Sequence, residues 1–293
     1  MDSISLMYHC IYASIPQESG FQGAGAMIYK ISSVDFEKQV NAISKYLEKN
    51  NLEKEAVTFT FDDGGVSFIT IIAPILERYG YRGLFFISTR YIGTEGFLTV
   101  DQIKELVTRG HMVGSHSHTH PEMMNTMKEE DLIYEWKISG DILREIIGKK
   151  VVTASIPNGF CSNKVLSAMV KTGFSSIYTS KPTVKIHHYE SSVIIGRYAI
   201  TSDMSVDYVL SILSSKKHRF LMDAGIRRVR RIPDAGPVRF GPGGCRGRGA
   251  DGTAGHGTAR DGDRVPRGEG AAADGGDVFR CGRDARGAER TAL

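Results

Sequence analysis

The chain has 293 residues, with 37 Lys and Arg against 33 Asp and Glu, a net charge of +4, and 41% hydrophobic residues. That length accommodates one large domain or two small ones, with apolar residues enough for a full core. Cys10, Cys161, Cys245 and Cys281 show no paired spacing, which argues against a disulfide framework or a zinc finger, and no run of eighteen apolar residues is present to span a membrane.

Short β-like runs alternate with helix-like runs along the first two-thirds of the chain. Residues 4–9 read as a strand, and the opening Met1-Asp2-Ser3-Ile4 lacks the basic and long apolar stretches of an export signal, so a cytoplasmic location is the default expectation. A helix is predicted over 34–50, capped by Ser32 or Ser33, with Phe36, Val40, Ile43 and Leu47 on one face. Strand 56–61 precedes an apolar helix over 67–79 that ends at Gly80, then strand 82–88 precedes helix 100–109, which closes on Gly110. Strand 111–115, helix 129–147 ending at Gly148, strand 151–155, helix 163–172, strand 174–180, strand 193–200 and helix 205–214 complete the pattern. Trp136 falls among Leu132, Leu143 and Ile147 in the long helix and is expected in the core. Repeated strand–helix units predict a parallel α/β sheet with helices outside, open or closed into a barrel. In both forms chemistry gathers beyond the C-terminal ends of the strands.

Two segments carry that chemistry. Thr60-Phe61-Asp62-Asp63-Gly64-Gly65 puts two carboxylates at a strand end, and Ser115-His116-Ser117-His118-Thr119-His120-Pro121 offers three imidazoles in one loop. An isolated Asp-Asp-Gly-Gly is most simply a solvated turn, yet the glycine pair also lets the chain turn and aim both carboxylates inward. His116 and His120 are four apart, which would set both rings on one side of a helical turn, with His118 on another. One carboxylate with two imidazoles suits a first-row divalent metal ion, and the second carboxylate beside it suits a general base. Asp62, Asp63, His116, His120 and Asn158 all fall just past predicted strand ends. His9 closes the first strand and either lines the same mouth or serves as a satisfied strand-end histidine.

These segments resemble the first two motifs of the polysaccharide deacetylases, the NodB-homology family of carbohydrate esterases. Leu6-Met7-Tyr8-His9, the approach from Gly110 to Ser115, and Ile156-Pro157-Asn158-Gly159 as a third motif extend the resemblance over roughly residues 5–215. It implies a distorted (β/α)7 barrel and a metal-dependent deacetylase of N-acetylated poly- or oligosaccharides. By the family pattern Asp63, His116 and His120 would hold one divalent ion, usually zinc, and Asp62 would be the general base. A backbone N–H near Phe160, with Pro157, Asn158 and Gly159 around it, would face the oxyanion. Two departures stand out. Ser155 occupies the place where the family usually has an Arg paired with the base, and its absence would leave the Asp62 carboxyl less acidic unless another group compensates. The family's late Leu-x-His has no clear match: His187-His188 reads as an exposed hairpin, while Arg197, inside an apolar run, reads as a buried charge aimed at the site mouth. Ser-x-Pro-x-Gly and Gly-Arg-Tyr wording fits a branch of the family. The alternatives are a non-catalytic metal- and carbohydrate-binding protein and a metallo-amidohydrolase of another amide.

Composition changes sharply at residue 223. The 71 residues from Asp223 contain no Lys, Ser, Asn, Gln or Tyr, but 14 Arg, 10 acidic residues and 17 of the 33 glycines, so the whole net charge lies there. The expected division is a catalytic domain over 1–222 and a Gly/Arg/Ala/Asp-rich tail over 223–293. The tail is expected to be disordered, and reads either as an arm for anionic polymers or, in our reading, as an out-of-frame C-terminus. Its acidic residues dilute the positive charge, so no nucleic-acid partner is expected.

Overall fold

A computed structural model describes residues 3–214. The 222/223 boundary and the tail lie outside the described residues. The strands are β1 (Ile4–Tyr8), β2 (Ile11–Tyr12), β3 (Ile31–Ser32), β4 (Val57–Phe61), β5 (Gly83–Ile87), β6 (Met112–Ser115), β7 (Thr153–Ser155), β8 (Ser176–Tyr178), β9 (His187–Tyr189), β10 (Ser192–Ile195) and β11 (Tyr198–Ala199). β2 and β3 form a small parallel pair, and the other nine make one sheet in the order β11-β1-β4-β5-β6-β7-β8-β10-β9. Its pairs are parallel except the β9–β10 hairpin.

That order shows that the sheet curls round. β10 and β11 stand seven places apart in it, a gap of about 33 Å in a flat sheet. Yet Ile195 and Tyr198 are three residues apart in the chain, which can span no more than about 11 Å. The predicted strand 193–200 is therefore two half-strands, the first paired with β8 and the second with β1. With this split strand as the seventh stave, the sheet is a distorted (β/α)7 barrel closed by chain connectivity rather than by hydrogen bonds. Gly196 sits at the break because a Cβ there would strike the carbonyl oxygen of Lys181 and the Thr183 side chain. His187 and His188 are exposed on the β9 hairpin, as predicted.

The helices are α1 (Ala24–Met27), α2 (Ser33–Lys49), α3 (Ala73–Arg78), α4 (Val100–Thr108), α5 (Glu129–Ile147), α6 (Asn163–Lys171) and α7 (Val206–Leu213). Caps fix where several begin. Ser32 Oγ accepts from Asp35 N–H at 3.1 Å ahead of α2, and Thr99 and Gln102 form a reciprocal capping box ahead of α4. The predicted helix 67–79 is instead a π turn over Phe68–Ile72 that runs into α3. Pro74 explains the widening, since it has no N–H for the carbonyl four residues back and its ring clashes with that carbonyl. α2 buries Phe36, Val40, Ile43 and Leu47, the predicted face. These meet an aromatic core of Tyr8, Phe59, Phe61, Phe68 and Phe85, each at most 1% exposed. Truncating Phe61 to Ala would cost roughly 3–5 kcal/mol. Trp136 is fully buried against Phe174, as expected of a core residue. Among the described residues no helix is long and apolar enough to cross a membrane.

Candidate metal centre

The ends of β4, β6, β7 and the β10–β11 break converge on one point at the C-terminal mouth of the barrel. β4 delivers Asp62 and Asp63, and then the backbone reverses. Asp63 has φ 90° and Gly64 φ 97°, so the turn begins at the aspartate itself, one residue earlier than the glycine pair suggests. A side-chain-bearing residue in this region stores about 1–3 kcal/mol of strain. Gly65 is required for space, because a Cβ would run into Cys10 Sγ and Ser19 Oγ.

β6 delivers His116, whose N–H bonds the Ile87 carbonyl at 2.9 Å. The chain beyond it is not helical: Ser117 (φ 61°) and His120 (φ 56°) both lie in the left-handed region. The two rings still meet, but through this strained loop rather than through the expected helical turn. His116 Nε2 and His120 Nε2 each lie 3.5 Å from Asp63 Oδ1. His118 turns away, its Nδ1 2.9 Å from Thr89 Oγ1.

The spacing tests the donor set. Zinc with bonds of about 2.0–2.1 Å in tetrahedral geometry separates its ligand atoms by about 3.3–3.4 Å. Each imidazole nitrogen sits close to that distance from Asp63 Oδ1, too far for a good hydrogen bond, and the three ligand atoms lie within 4.8 Å of one another. The tautomer also fits, because His116 Nδ1 lies 3.0 Å from the Ser155 carbonyl oxygen, which can only accept. Nδ1 therefore carries a proton, the tautomer whose Nε2 lone pair is available to a metal. Asp63, His116 and His120 form a group able to hold a metal ion.

Asp62 is 2% exposed and answers to a different set of groups. Arg197 donates to it twice, Nη1 to Oδ1 at 2.7 Å and Nη2 to Oδ2 at 2.8 Å, and Ser155 Oγ donates to Oδ2 at 3.1 Å. Arg197 is fully buried; its other donors reach Thr60 Oγ1, the Thr179 carbonyl and Ser155 Oγ. Thus the cation absent at position 155 is supplied from the barrel break. Arg197 is spent on Asp62, a partner at the mouth where the sequence expected a buried charge to point. The signal was a lone Arg inside an apolar run, and only the closure of the barrel shows where it points.

The two carboxyls differ in charge environment as well. Burial pushes the Asp62 carboxyl up, but the Arg197 guanidinium, and after it His116, pull it below the ordinary range. Burial also opposes ionisation of Asp63, but the His116 and His120 rings that face it hold it well below that range. Burial lowers the His120 pKa, and Asp63 reverses this to leave it raised.

The remaining candidates divide. His9 stacks on Tyr29 with ring centroids 4.4 Å apart, and its buried Nδ1 has no hydrogen-bond partner. Burial lowers its pKa against the opposing charges of Asp63 and Asp62, so it stands beside the site. Asn158 (φ 54°) is exposed, and its Nδ2 approaches the carbonyls of Pro121 and Glu122 at 3.3 and 3.4 Å, tying the third motif to the histidine loop. Pro157 is buried, and Gly159 (φ 71°) leaves no room for a Cβ beside Ser180 Oγ. Phe160 N–H lies 3.4 Å from the Pro157 carbonyl, so the turn itself engages the N–H expected to face an oxyanion.

Residues 49–177 match a sequence model of the family described as Polysaccharide deacetylase. The chain is 31% identical over 93 residues to a chitin deacetylase of Colletotrichum lindemuthianum, covering 31% of this chain and 37% of that protein. It is 28% identical over 152 residues to peptidoglycan-N-acetylmuramic acid deacetylase PdaA of Bacillus subtilis, covering 50% and 56%. The chain spans about half the length of the curated relatives it matches, 47% and 46% for two of them. The fold is shared with the solved structure of Streptococcus pyogenes deacetylase PplD in complex with acetate, at TM-score 0.58 and 20% identity over 73% of this chain and 99% of that one. IcaB from Ammonifex degensii shares it at TM-score 0.60 and 23% identity, covering 72% and 97%.

Proposed function

We propose that the chain, whose residues 49–177 match the sequence model of the polysaccharide deacetylase family, is a metal-dependent hydrolase removing acetyl groups from N-acetylated sugars of a poly- or oligosaccharide. The observation that carries this reading is the division of labour between adjacent carboxylates: Asp63 faces two imidazole nitrogens at ligand spacing, while Asp62 is held by Arg197. Asp63, His116 and His120 would hold the ion, zinc by the nitrogen-rich donor set, and the ion when bound would supply Lewis acidity to polarise the acetamide carbonyl and acidify a water molecule. Asp62 accepts the proton from the attacking water. Arg197 and Ser155 fix the plane of its carboxylate and keep it ionised, so it is ready to accept at any working pH near neutrality. Both carboxylates are buried, which keeps their charges effective at short range. Arg197 also favours this reading over the non-catalytic one, because it supplies the cation that Ser155 does not.

Acetate release from N-acetylglucosamine oligomers, measured beside bound metal, tests the proposal. Asp62→Asn should retain metal and lose about 10²–10⁴-fold in rate, while His116→Ala should lose metal and activity together. Metal-loaded protein with no Asp62-dependent acetate release from any acetylated glycan would sink it.

A further inference from the structure

The histidine loop is held by a residue outside the three motifs. Glu135, on α5, lies on the face that buries Leu132, Trp136, Ser139 and Leu143, and is only 5% exposed. A carboxylate on such a face is costly unless it is fully bonded. Its Oε2 accepts from His118 N–H at 3.0 Å and Thr119 N–H at 2.8 Å, and its Oε1 accepts from Thr119 Oγ1 at 2.8 Å. One turn further along, Ser139 Oγ lies 2.7 Å from Ser115 Oγ, which accepts from Ser117 N–H at 3.2 Å. Residues 89–91 take the other side of the loop. Thr89 N–H bonds the Ser117 carbonyl and Arg90 N–H the His118 carbonyl, while Tyr91 Oη bonds the Thr119 carbonyl. The N–H groups of His118 and Thr119 therefore go to α5, and the carbonyls of Ser117, His118 and Thr119 to the chain after β5.

The loop needs this grip. Ser117 and His120 both sit in the left-handed region, a conformation that persists only where the surroundings over-determine it. Between them lie the two residues that Glu135 bonds.

We propose that Glu135 is a positioning residue: through the backbone of His118 and Thr119 its carboxylate sets the loop so that His120 Nε2 meets Asp63 and His116 at ligand spacing. The inference rests on the metal-site reading above. Bonds to a charged acceptor are roughly twice as strong as neutral ones, which accounts for a carboxylate here rather than an amide.

The test uses the full chain with cobalt(II), whose visible absorption reports coordination geometry, in wild type, Glu135→Ala, Glu135→Gln and Leu143→Ala. Leu143 is buried on the same helix about two turns beyond Glu135, so its truncation reports destabilisation of the helix packing. Glu135→Ala should weaken cobalt affinity about 10–100-fold and alter the absorption band. Glu135→Gln should fall between it and wild type, and Leu143→Ala should lower Tm without moving affinity or band. Hydrogen exchange on metal-free protein should show the amides of His118 and Thr119 protected in wild type and fast in both Glu135 variants. Unchanged affinity, band and exchange in folded Glu135 variants would overturn the proposal, as would an equal effect from Leu143→Ala. Wild-type protein that binds no cobalt would defeat the metal reading instead, and the exchange measurement would still decide whether Glu135 clamps the loop.

Discussion

The molecule combines carboxylate, imidazole and guanidinium in two polar clusters, and they behave differently. At the C-terminal mouth, Asp63 faces His116 and His120 while Asp62 holds Arg197. Elsewhere on the barrel, where α3 and α4 end, Glu77 accepts from Arg109 Nε and Nη2 at 2.9 and 2.8 Å, and His111 Nε2 lies 2.9 Å from it. The second cluster is closed: His111 Nδ1 accepts from Gly83 N–H at 3.0 Å, so both ring nitrogens have partners at ordinary hydrogen-bond distance. At the mouth the histidine–carboxylate separations open to 3.5 Å and the backbone is strained at Asp63, Ser117 and His120. Composition does not separate a structural cluster from a chemical one here; spacing and stored strain do. The location agrees: Gly83 and His111 lie where β5 and β6 begin, the end of such barrels that serves stability, whereas chemistry gathers where the strands end.

The largest effect that would break this comparison is at Asp63. Asp63→Gly should abolish bound metal, measured by elemental analysis of purified protein, while leaving a folded chain relieved of a non-glycine residue at φ 90°. Retention of stoichiometric metal would mean the mouth is another closed cluster. Next comes Arg197→Met. It leaves Asp62 buried without its cation, and removing one partner of a buried pair costs about 3–5 kcal/mol, read from the denaturant midpoint. The pair is expected to matter for rate as well, so acetate release should fall even where the variant is folded.

Glu77 gives the contrasting, smaller case. Arg109 is the main cause holding its carboxyl at about 2 against an ordinary 4.5, with His111 adding to it and burial opposing. A depressed carboxyl stabilises the fold above the unfolded value, and that contribution disappears as the pH falls from about 4.5 towards about 2. The side chain is 28% exposed, so solvent screening limits the effect to about 1 kcal/mol. Glu77→Gln should flatten stability between those pH values and leave acetate release at neutral pH unchanged. A loss of activity as large as that of Asp62→Asn would erase the distinction between the clusters.

Much of this was legible in the residues. The alternation of apolar runs placed most strands of the main sheet and the longer helices within about two residues, and the carboxylate pair and histidine cluster marked the mouth; β2, β3 and α1, two to four residues long, left no such pattern. What stayed hidden depends on distant parts of the chain. An unbroken run such as Val193-Ile194-Ile195, continued by Tyr198 and Ile200, reads as one strand by local pattern; only the need to pair one half with β8 and the other with β1 breaks it. Arg197 could be recognised as a buried charge, but its partner, 135 positions earlier, could not. The histidine spacing suggested the right pair for the wrong geometric reason, because four residues in a helix and four in a strained loop can both bring two rings together.

The smallest predicted effect is at the third histidine of the loop, and it fixes the edge of the site. His118 sits between the two ligand candidates in sequence, so composition alone would enrol it. Its ring instead meets Thr89 Oγ1 at 2.9 Å, and its contribution to the loop is made by its backbone, through Glu135 and Arg90. His118→Ala keeps those backbone bonds and removes one neutral side-chain hydrogen bond, worth about 0.5–1.5 kcal/mol. The expected result is a small fall in Tm with metal stoichiometry and affinity unchanged. A tenfold loss of affinity would show that the ring itself helps set His120, and the line between ligand and scaffold would then have to be drawn one side chain further out.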